Sequence, residues 1–148
     1  MLRALPKNRF SSDYILIEND NVVASVYFSA WREAGRLSVG DTNYRVYREG
    51  PLGGAFVLVA DNSLLARAEK PSALYRSFTI AHGEKKYVLE AESAMRRKFV
   101  LREEGKPIGA IAPEHAWTRQ AVADFPDRIP LNIKAFMFWL VTILWRRE

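Results

Sequence analysis

The feature that most constrains the fold of this chain is an internal repeat with a period of 43 residues. A shift by that distance aligns Gly40 with Gly83, Tyr44 with Tyr87, and the run Phe56–Leu58 with an identical run one period later. Other coinciding positions are Ala30, Glu49, Ala73 and Arg76 with Ala73, Glu92, Ala116 and Arg119, and the apolar set Trp31, Leu74 and Trp117. Repeats of roughly 20 to 50 residues are typical of stacked supersecondary units. The sequence therefore predicts one fold built from nearly three similar units.

Each unit consists of short apolar runs separated by turn-forming residues. Asn19, Asn62 and Gly105 are predicted to occupy the same place in successive units, and all three residue types tolerate the positive φ of a hairpin turn. A second hairpin recurs around Gly40 and Gly83. The runs alternate imperfectly between apolar and polar residues, as expected for a sheet with one buried face. Four strands in each unit predict ten to twelve strands between about residues 13 and 125.

The segment 130–146 is predicted to form one helix that has no polar face. Between Ala135 and Trp145 only Thr142 is polar, and Pro130 suits the first position of a helix. A helix that is apolar all round must be buried in protein or in lipid. Its apolar part is roughly 22 Å long, whereas a bilayer core is about 30 Å thick. Burial in protein is therefore predicted, and a C-terminal membrane anchor is the alternative.

Repeat and helix together favour a mainly β fold. A barrel of about twelve antiparallel strands is wide enough to hold a central helix, and its closure removes exposed sheet edges. The predicted architecture is a single domain over residues 1–148, a closed antiparallel barrel wrapped around the buried apolar C-terminal helix. A propeller is the competing repeat architecture, but three blades are fewer than the usual number, and a propeller has no place for an apolar helix.

Composition narrows the functional classes. The 148 residues carry a net charge of +5 with a pI near 9.6, which permits attraction to phosphate groups on lipid or nucleic acid. The chain has no cysteine, which excludes disulfides, thiolate catalysis and cysteine-ligated zinc. Its first residues lack the continuous apolar stretch of a signal peptide. A cytoplasmic protein, peripheral at a membrane if it meets one, is expected.

Several motifs together resemble the tubby C-terminal-like superfamily, which includes tubby proteins, phospholipid scramblases and LURP-one-related proteins. The motifs are Gly40-x-x-x-Tyr44, the hairpin from Phe56-x-Leu58 to Leu65-x-x-Ala68, the hairpin from Phe99-x-Leu101 to Ile108-Gly109-x-Ile111, and the closing apolar helix. The resemblance implies a twelve-stranded barrel around a central C-terminal helix. Tubby proteins bind phosphatidylinositol bisphosphate, and scramblases are linked to calcium-dependent lipid movement. We carry no ligand residue of either group over to this sequence.

No catalytic or metal-binding pattern stands out. His82 and His115 are the only histidines, and neither has a second ligand at metal-binding spacing. The acidic turns at 18–21 and 103–105 do not follow the calcium-loop spacing. The loop Gly50–Gly54 lacks the Gly-Lys-Ser/Thr ending of a phosphate-binding loop. We therefore expect no cofactor, no metal and no enzymatic activity.

The basic residues suggest a binding function instead. Lys85 and Lys86 lie in one hairpin, and Arg96, Arg97 and Lys98 precede the next strand, so the two groups are predicted to share one rim of the barrel. Such a basic rim suits an anionic phospholipid or phosphoinositide headgroup. The leading hypothesis is a non-enzymatic module that docks on an anionic membrane. The alternatives are a protein-interaction or structural domain without lipid affinity, and a protein anchored in the membrane by its C-terminal helix.

The predicted positions of the tryptophans argue against a nucleic-acid partner. Trp31 and Trp117 hold equivalent repeat positions, and Trp139 and Trp145 lie in the apolar helix, so all four are predicted to be core residues. Exposed aromatic residues among cations, which favour single-stranded nucleic acid, are then missing, and nucleic acid is not an expected partner. Two further arginines, Arg76 and Arg119, are predicted to pack against an aromatic ring or a carboxylate. The sequence leaves the oligomeric state open.

Overall fold

A computed structural model describes residues 1–50, 54–71, 75–115 and 118–147 of the chain. Ala73, Leu74, Ala116 and Trp117 of the repeat, and Pro51–Gly53 of the glycine-rich loop, lie outside these residues. The described residues form twelve strands and one helix. The elements are β1 (Leu2–Pro6), β2 (Tyr14–Glu18), β3 (Asn21–Phe28), β4 (Ala34–Val39), β5 (Thr42–Arg48), β6 (Phe56–Ala60), β7 (Ser63–Glu69), β8 (Ser77–His82), β9 (Lys85–Ala91), β10 (Phe99–Glu103), β11 (Lys106–Pro113), β12 (Ala121–Asp124) and α1 (Leu131–Arg146).

The strands form a closed antiparallel barrel, as predicted. Each strand pairs with its neighbours in the chain, and β1 pairs with β12 to close the sheet. The closing seam is short, from the pair Leu2 and Ala123 to the pair Ala4 and Ala121. Closure leaves none of the twelve described strands at an open edge, which is how a sheet of many short strands avoids pairing with other chains.

The first strand was missed by the sequence prediction, which began the barrel at about residue 13. Leu2 and Ala4 of β1 point inwards and are almost fully buried, whereas Arg3 between them is exposed. The alternation of apolar and polar residues extends only over Leu2–Pro6, which is too short to distinguish a strand from a terminal tail. β1 is nevertheless the strand that completes the barrel.

Tight turns with positive φ connect three of the hairpins. The turn pairs are Asn19-Asp20, Asp61-Asn62 and Glu104-Gly105. Two adjacent residues with positive φ give the turn type whose twist matches that of the flanking strands. The expectation that Asn19 shares a turn position with Asn62 and Gly105 is wrong by one residue, because Asn19 comes first in its turn and the other two come second. The second hairpin type occurs around Gly40 and Gly83, as predicted. Both glycines have a φ of 58°.

The hairpins also share an irregularity in their register. A bulge-like shift lies in β2 between Leu16 and Ile17, in β6 between Leu58 and Val59, and in β10 between Leu101 and Arg102. Every fourth strand from β2 onwards therefore has the same distortion, which increases local twist and helps a sheet to curve. The 43-residue repeat in the sequence itself stays a prediction.

The helix α1 fills the barrel. All residues from Ile133 to Trp145 are buried, so the predicted burial of the apolar segment 130–146 in protein is confirmed. Phe138 makes an edge-to-face contact with Tyr14 of β2 at 5.0 Å between ring centroids. Trp139 makes one with Phe56 of β6 at 5.8 Å. No helix in the described part of the chain is long and apolar enough to cross a bilayer.

Gly35 allows the barrel wall to approach the helix closely. A Cβ atom at this position of β4 would lie 2.1 Å from the carbonyl oxygen of Tyr27 and 3.3 Å from the indole nitrogen of Trp139. Contacts below about 3 Å do not occur for real side chains. Any residue larger than glycine would therefore push β4 away from β3 and from the fully buried Trp139 of the helix.

Candidate functional site

The two ends of the barrel differ in their connections. Two-residue turns join β2 to β3, β4 to β5, β6 to β7, β8 to β9 and β10 to β11 at one end, which we call the turn end. The segment 125–130 also lies there and leads into α1. The opposite end, the loop end, contains six longer loops, of which the structure describes residues 7–13, 29–33, 49–50 with 54–55, 70–71 with 75–76, 92–98, and 114–115 with 118–120. α1 runs along the barrel and ends at the loop end.

The structure separates the two halves of the predicted basic rim. Lys85 begins β9 and pairs with His82 beside the turn at the turn end. Ala91 ends β9 and pairs with Phe99, which places Arg96–Lys98 at the loop end. A strand of seven residues is about 20 Å long. The prediction that Lys85 and Lys86 share a rim with Arg96–Lys98 is therefore wrong, because β9 lies between them.

Nearby carboxylates neutralise much of this predicted rim. Lys85 Nζ lies 3.8 Å from Glu103 Oε2 at the turn end. At the loop end, Lys98 Nζ lies 3.1 Å and Arg96 Nη1 3.7 Å from the carboxylate of Glu92. The cation of each pair is exposed, so these pairs contribute little to stability. They do reduce the local excess of positive charge that was predicted for these residues.

The connecting segments as a whole carry opposite charges at the two ends. The charged side chains in the turns and in segment 125–130 are Asp20, Asp41, Asp61, Glu84, Glu104, Asp127 and the single cation Arg128. Those in the six loops and at the end of α1 are Lys7, Arg9, Arg32, Lys70, Arg76, Arg96, Arg97, Lys98, Arg119, Arg146 and Arg147, with Asp13, Glu33, Glu49, Glu92 and Glu114. The described connecting segments of the loop end are therefore basic, and those of the turn end are acidic.

Large apolar side chains are exposed on the loops of the basic end. Phe10, Trp31 and Met95 are 94%, 95% and 92% exposed, and Tyr75 is 71% exposed. Each of the four belongs to a different loop. The prediction that Trp31 is a core residue is wrong, whereas Trp139 and Trp145 are buried as predicted. The exposed aromatic residue among cations that the sequence prediction lacked is therefore present.

Arginines hold two of these loops in place. Arg76 lies over the ring of Phe99 and donates hydrogen bonds to the carbonyl oxygens of Ser93, Ala94 and Arg96, in the loop that carries Met95. In the same way, Arg119 lies over the ring of Tyr14 and donates to the carbonyl oxygens of Arg9 and Ser11, on either side of Phe10. The predicted packing of Arg76 and Arg119 on aromatic rings is confirmed.

The loop that carries Trp31 is fixed by a carboxylate. Glu33 Oε1 accepts a hydrogen bond of 3.0 Å from Arg48, and Glu33 Oε2 accepts one of 2.9 Å from Arg147 Nε at the end of α1. The backbone of Arg48 also donates to the carbonyl oxygen of Glu33. The loop end is thus a set of positioned loops around the helix terminus rather than a collection of free segments.

Other candidate chemistry is sparse in the part of the chain that the structure describes. No group of three or more His, Asp or Glu residues there is placed to hold a metal ion. The Nδ1 atom of His82 lies 3.0 Å from the carbonyl oxygen of Leu65, a contact within the sheet. His115 is exposed on a loop.

Compared with known proteins, the chain matches no family, no curated protein and no solved structure.

Proposed function

We propose that the protein is a non-enzymatic module that docks on anionic phospholipid bilayers through the loop end of the barrel. The observation that carries this proposal is the location of Phe10, Trp31, Tyr75 and Met95, all exposed and all on loops of the basic end. Aromatic side chains are favoured at the headgroup level of a bilayer, and adjacent Lys and Arg residues are attracted to anionic lipid. Both features meet at one end of the molecule.

The apolar side chains of the loop end contribute enough to the free energy of docking to affect binding. An aromatic side chain that buries about half of its roughly 200 Å² contributes about 2 kcal/mol. Several such side chains on separate loops add to one another because they enter the same surface together. Loops fixed by Arg76, Arg119 and Glu33 lose little additional conformational freedom on binding, which lowers the cost of docking.

The charge separation favours one orientation. Each Lys or Arg near an anionic surface contributes about 1 kcal/mol, whereas carboxylates are repelled. The turn end, whose connecting segments are acidic, therefore faces away from the bilayer, and the barrel axis stands along the membrane normal. The protein is peripheral in this arrangement, since α1 is enclosed by the barrel rather than by lipid.

Membership of the tubby C-terminal-like superfamily is part of this proposal. Its support is the architecture that the resemblance implied, a twelve-stranded closed barrel around a C-terminal helix. The Arg96–Lys98 group of the predicted rim contributes to the docking surface, whereas Lys85 and Lys86 do not.

Vesicle binding tests the proposal. The protein is mixed with phosphatidylcholine vesicles that contain or lack phosphatidylserine, at low and high salt, and the bound fraction is measured by flotation. We expect binding that requires phosphatidylserine, weakens with salt and falls about thirtyfold in Trp31→Ser, which corresponds to about 2 kcal/mol. The matched control is Leu64→Ser, which removes an exposed apolar side chain near the turn end and should leave binding unchanged.

The alternative function is a protein-interaction domain, since exposed aromatic residues are also typical of binding hot spots on proteins. Absence of binding to phosphatidylserine vesicles at low salt would exclude membrane docking. Equal loss of vesicle binding in Trp31→Ser and Leu64→Ser would show that docking does not depend on the loop end.

A further inference from the structure

Two polar side chains of the central helix are buried, and only one of them has a partner. Thr142 Oγ1 donates a 2.7 Å hydrogen bond to the carbonyl oxygen of Trp139, one turn earlier in α1. Lys134 is only 6% exposed, yet its side chain makes no hydrogen bond and no ion pair with any described residue. A buried cation is costly unless an anion or a hydrogen-bond acceptor compensates it. The hydrogen bond of Thr142 explains its burial, whereas the described contacts do not explain that of Lys134.

Lys134 lines an open cavity of about 520 Å³ at the turn end of the barrel, where α1 begins. Met1, Ile129 and Leu131 give this cavity an apolar wall beside the lysine. Its volume is within the range of cavities that hold small molecules. The cavity lies at the opposite end of the barrel from the proposed membrane-docking surface. An inference about it therefore does not depend on docking.

The first turn of α1 makes the buried part of this cavity favourable for an anion. Pro130 precedes the helix, no side chain caps it, and its first turn contains no acidic residue. The carbonyl oxygen of Pro130 accepts the backbone N–H groups of Ile133 and Lys134, but the N–H of Leu131 has no acceptor among the described residues. The start of a helix carries about half a positive charge. Lys134 adds a full positive charge at the same place, and the two together attract an anion.

Two carboxylates line the same cavity at more exposed positions. Glu18 is half-buried at the end of β2, and Asp127 is exposed in segment 125–130. Neither forms an ion pair with Lys134. An anion with two negative charges, such as a phosphate monoester, would be repelled by both of them. The arrangement instead suits a ligand that has one anionic group beside one cationic group.

We propose that this cavity binds a small zwitterion, an α-amino acid with an aliphatic side chain. The carboxylate of the ligand interacts with the ammonium group of Lys134 and with the first turn of α1. Its ammonium group interacts with Glu18 and Asp127, and its side chain packs on Ile129 and Leu131. Hydrogen bonds between charged groups are stronger than those between neutral ones, so both ends of the ligand contribute to its selection.

Three probes of similar size test which charged groups the cavity recognises. L-Leucine has both groups, 4-methylpentanoate lacks the ammonium group, and 3-methylbutylamine lacks the carboxylate. Binding of each to the full chain is measured by isothermal titration calorimetry. We expect L-leucine to bind about tenfold more tightly than either of the other two, because each of these loses one pair of charge-assisted contacts.

Substitution of Lys134 tests the site itself. Lys134→Met removes the charge and keeps an apolar side chain, so the Tm should stay the same or rise, whereas the affinity for L-leucine should fall about tenfold or more. Lys85→Met is the matched control, because it removes the same charge from an exposed lysine at the same end of the barrel. It should leave the affinity unchanged.

The outcomes separate the parts of the proposal. No binding of L-leucine at about 10 mM, or equal loss of affinity in Lys134→Met and Lys85→Met, would overturn the site. Binding of 4-methylpentanoate as tight as that of L-leucine would overturn the zwitterion in favour of a simple carboxylate. The comparison of the three probes uses the wild-type protein and stays decisive even if Lys134→Met fails to fold. Vesicle binding is unaffected by any of these results, so the docking proposal stands or falls separately.

Discussion

Arg97 and Trp145 contact each other twice. The guanidinium of Arg97 lies 4.8 Å from the centroid of the indole ring, and the indole N–H of Trp145 donates a 2.9 Å hydrogen bond to the carbonyl oxygen of Arg97. One contact uses the side chain of the arginine and the other uses its backbone. Together they join the loop before β10 to the last turn of α1, so the position of Arg97 depends on the position of the helix.

Replacement of Trp145 by Phe should separate these two contacts. The ring remains beneath Arg97, but the hydrogen bond to its carbonyl oxygen is lost. We expect the free energy of unfolding to fall by about 1 kcal/mol, as measured by urea denaturation. Trp145→Ala should cost about 3 kcal/mol or more, because it also removes the buried ring. Equal losses in the two variants would show that the hydrogen bond, and not the ring, ties the loop to the helix.

The same substitution at two tryptophans should show how different their roles are. Trp139 is fully buried and Trp31 is 95% exposed. Trp139→Ala should lower the free energy of unfolding by about 3–5 kcal/mol, whereas Trp31→Ala should change it by less than about 0.5 kcal/mol. Trp139→Phe should cost less than Trp139→Ala, because it keeps a ring in the core. Loss of the indole N–H adds no lost hydrogen bond, since this nitrogen has no hydrogen-bond partner in the described structure. A large loss in Trp31→Ala would contradict its exposed position.

Charge reversal at the two ends of the barrel should have unequal effects on vesicle binding. Arg9 and Arg32 are exposed at the loop end, and Lys85 and Lys86 are exposed at the turn end. The double variants Arg9→Glu/Arg32→Glu and Lys85→Glu/Lys86→Glu change the net charge equally. At about 1 kcal/mol for each cation near the surface, the first should weaken binding to phosphatidylserine vesicles by about thirtyfold or more. The second should change it little, and equal weakening would contradict the proposed orientation.

The ion pair of Arg3 and Glu114 should make stability depend on pH in the acid range. The hydrogen bond from Arg3, followed by the charge of its guanidinium, lowers the pKa of Glu114 below its ordinary value near 4.5. Because the folded-state pKa is the lower one, the stabilisation is present above pH 4.5 and is lost as the pH falls below it. The Tm of Glu114→Gln should therefore decrease less between pH 5 and pH 3 than that of the wild type. Glu104→Gln, on an exposed turn, is the control.

The sequence predicted the parts of the fold that local patterns specify. A segment with a single polar residue between Ala135 and Trp145 has few places to be buried, so the position of α1 followed from hydrophobicity alone. Turn-forming residues gave the hairpins around Gly40 and Gly83 for a similar reason. β1 was missed because its evidence is a short alternation around Arg3, and its role depends on pairing with β12, the strand farthest from it along the chain.

The functional surface was harder to predict because it depends on which end of a strand each residue lies at. Lys86 and Arg96 are close in sequence, yet β9 carries the chain from one end of the barrel to the other between them. Trp31 shares a repeat position with other apolar residues, and equivalence in a repeat does not say whether a position faces the core or the solvent. Arg119 holds the loop around Phe10 from a distant segment, and a single sequence contains no signal that joins the two.

The enclosure of α1 has a consequence for how the chain folds during synthesis. Strands β1 to β12 all precede α1 in the chain, so they are synthesised before the segment that fills their interior. Neighbouring strands can pair as they emerge, but closure between β1 and β12 around an empty interior would exclude the helix. Final closure and helix insertion must then be coupled, and such late, long-range steps are slow. Until they occur, the inward faces of the open sheet are exposed to aggregation and to chaperones.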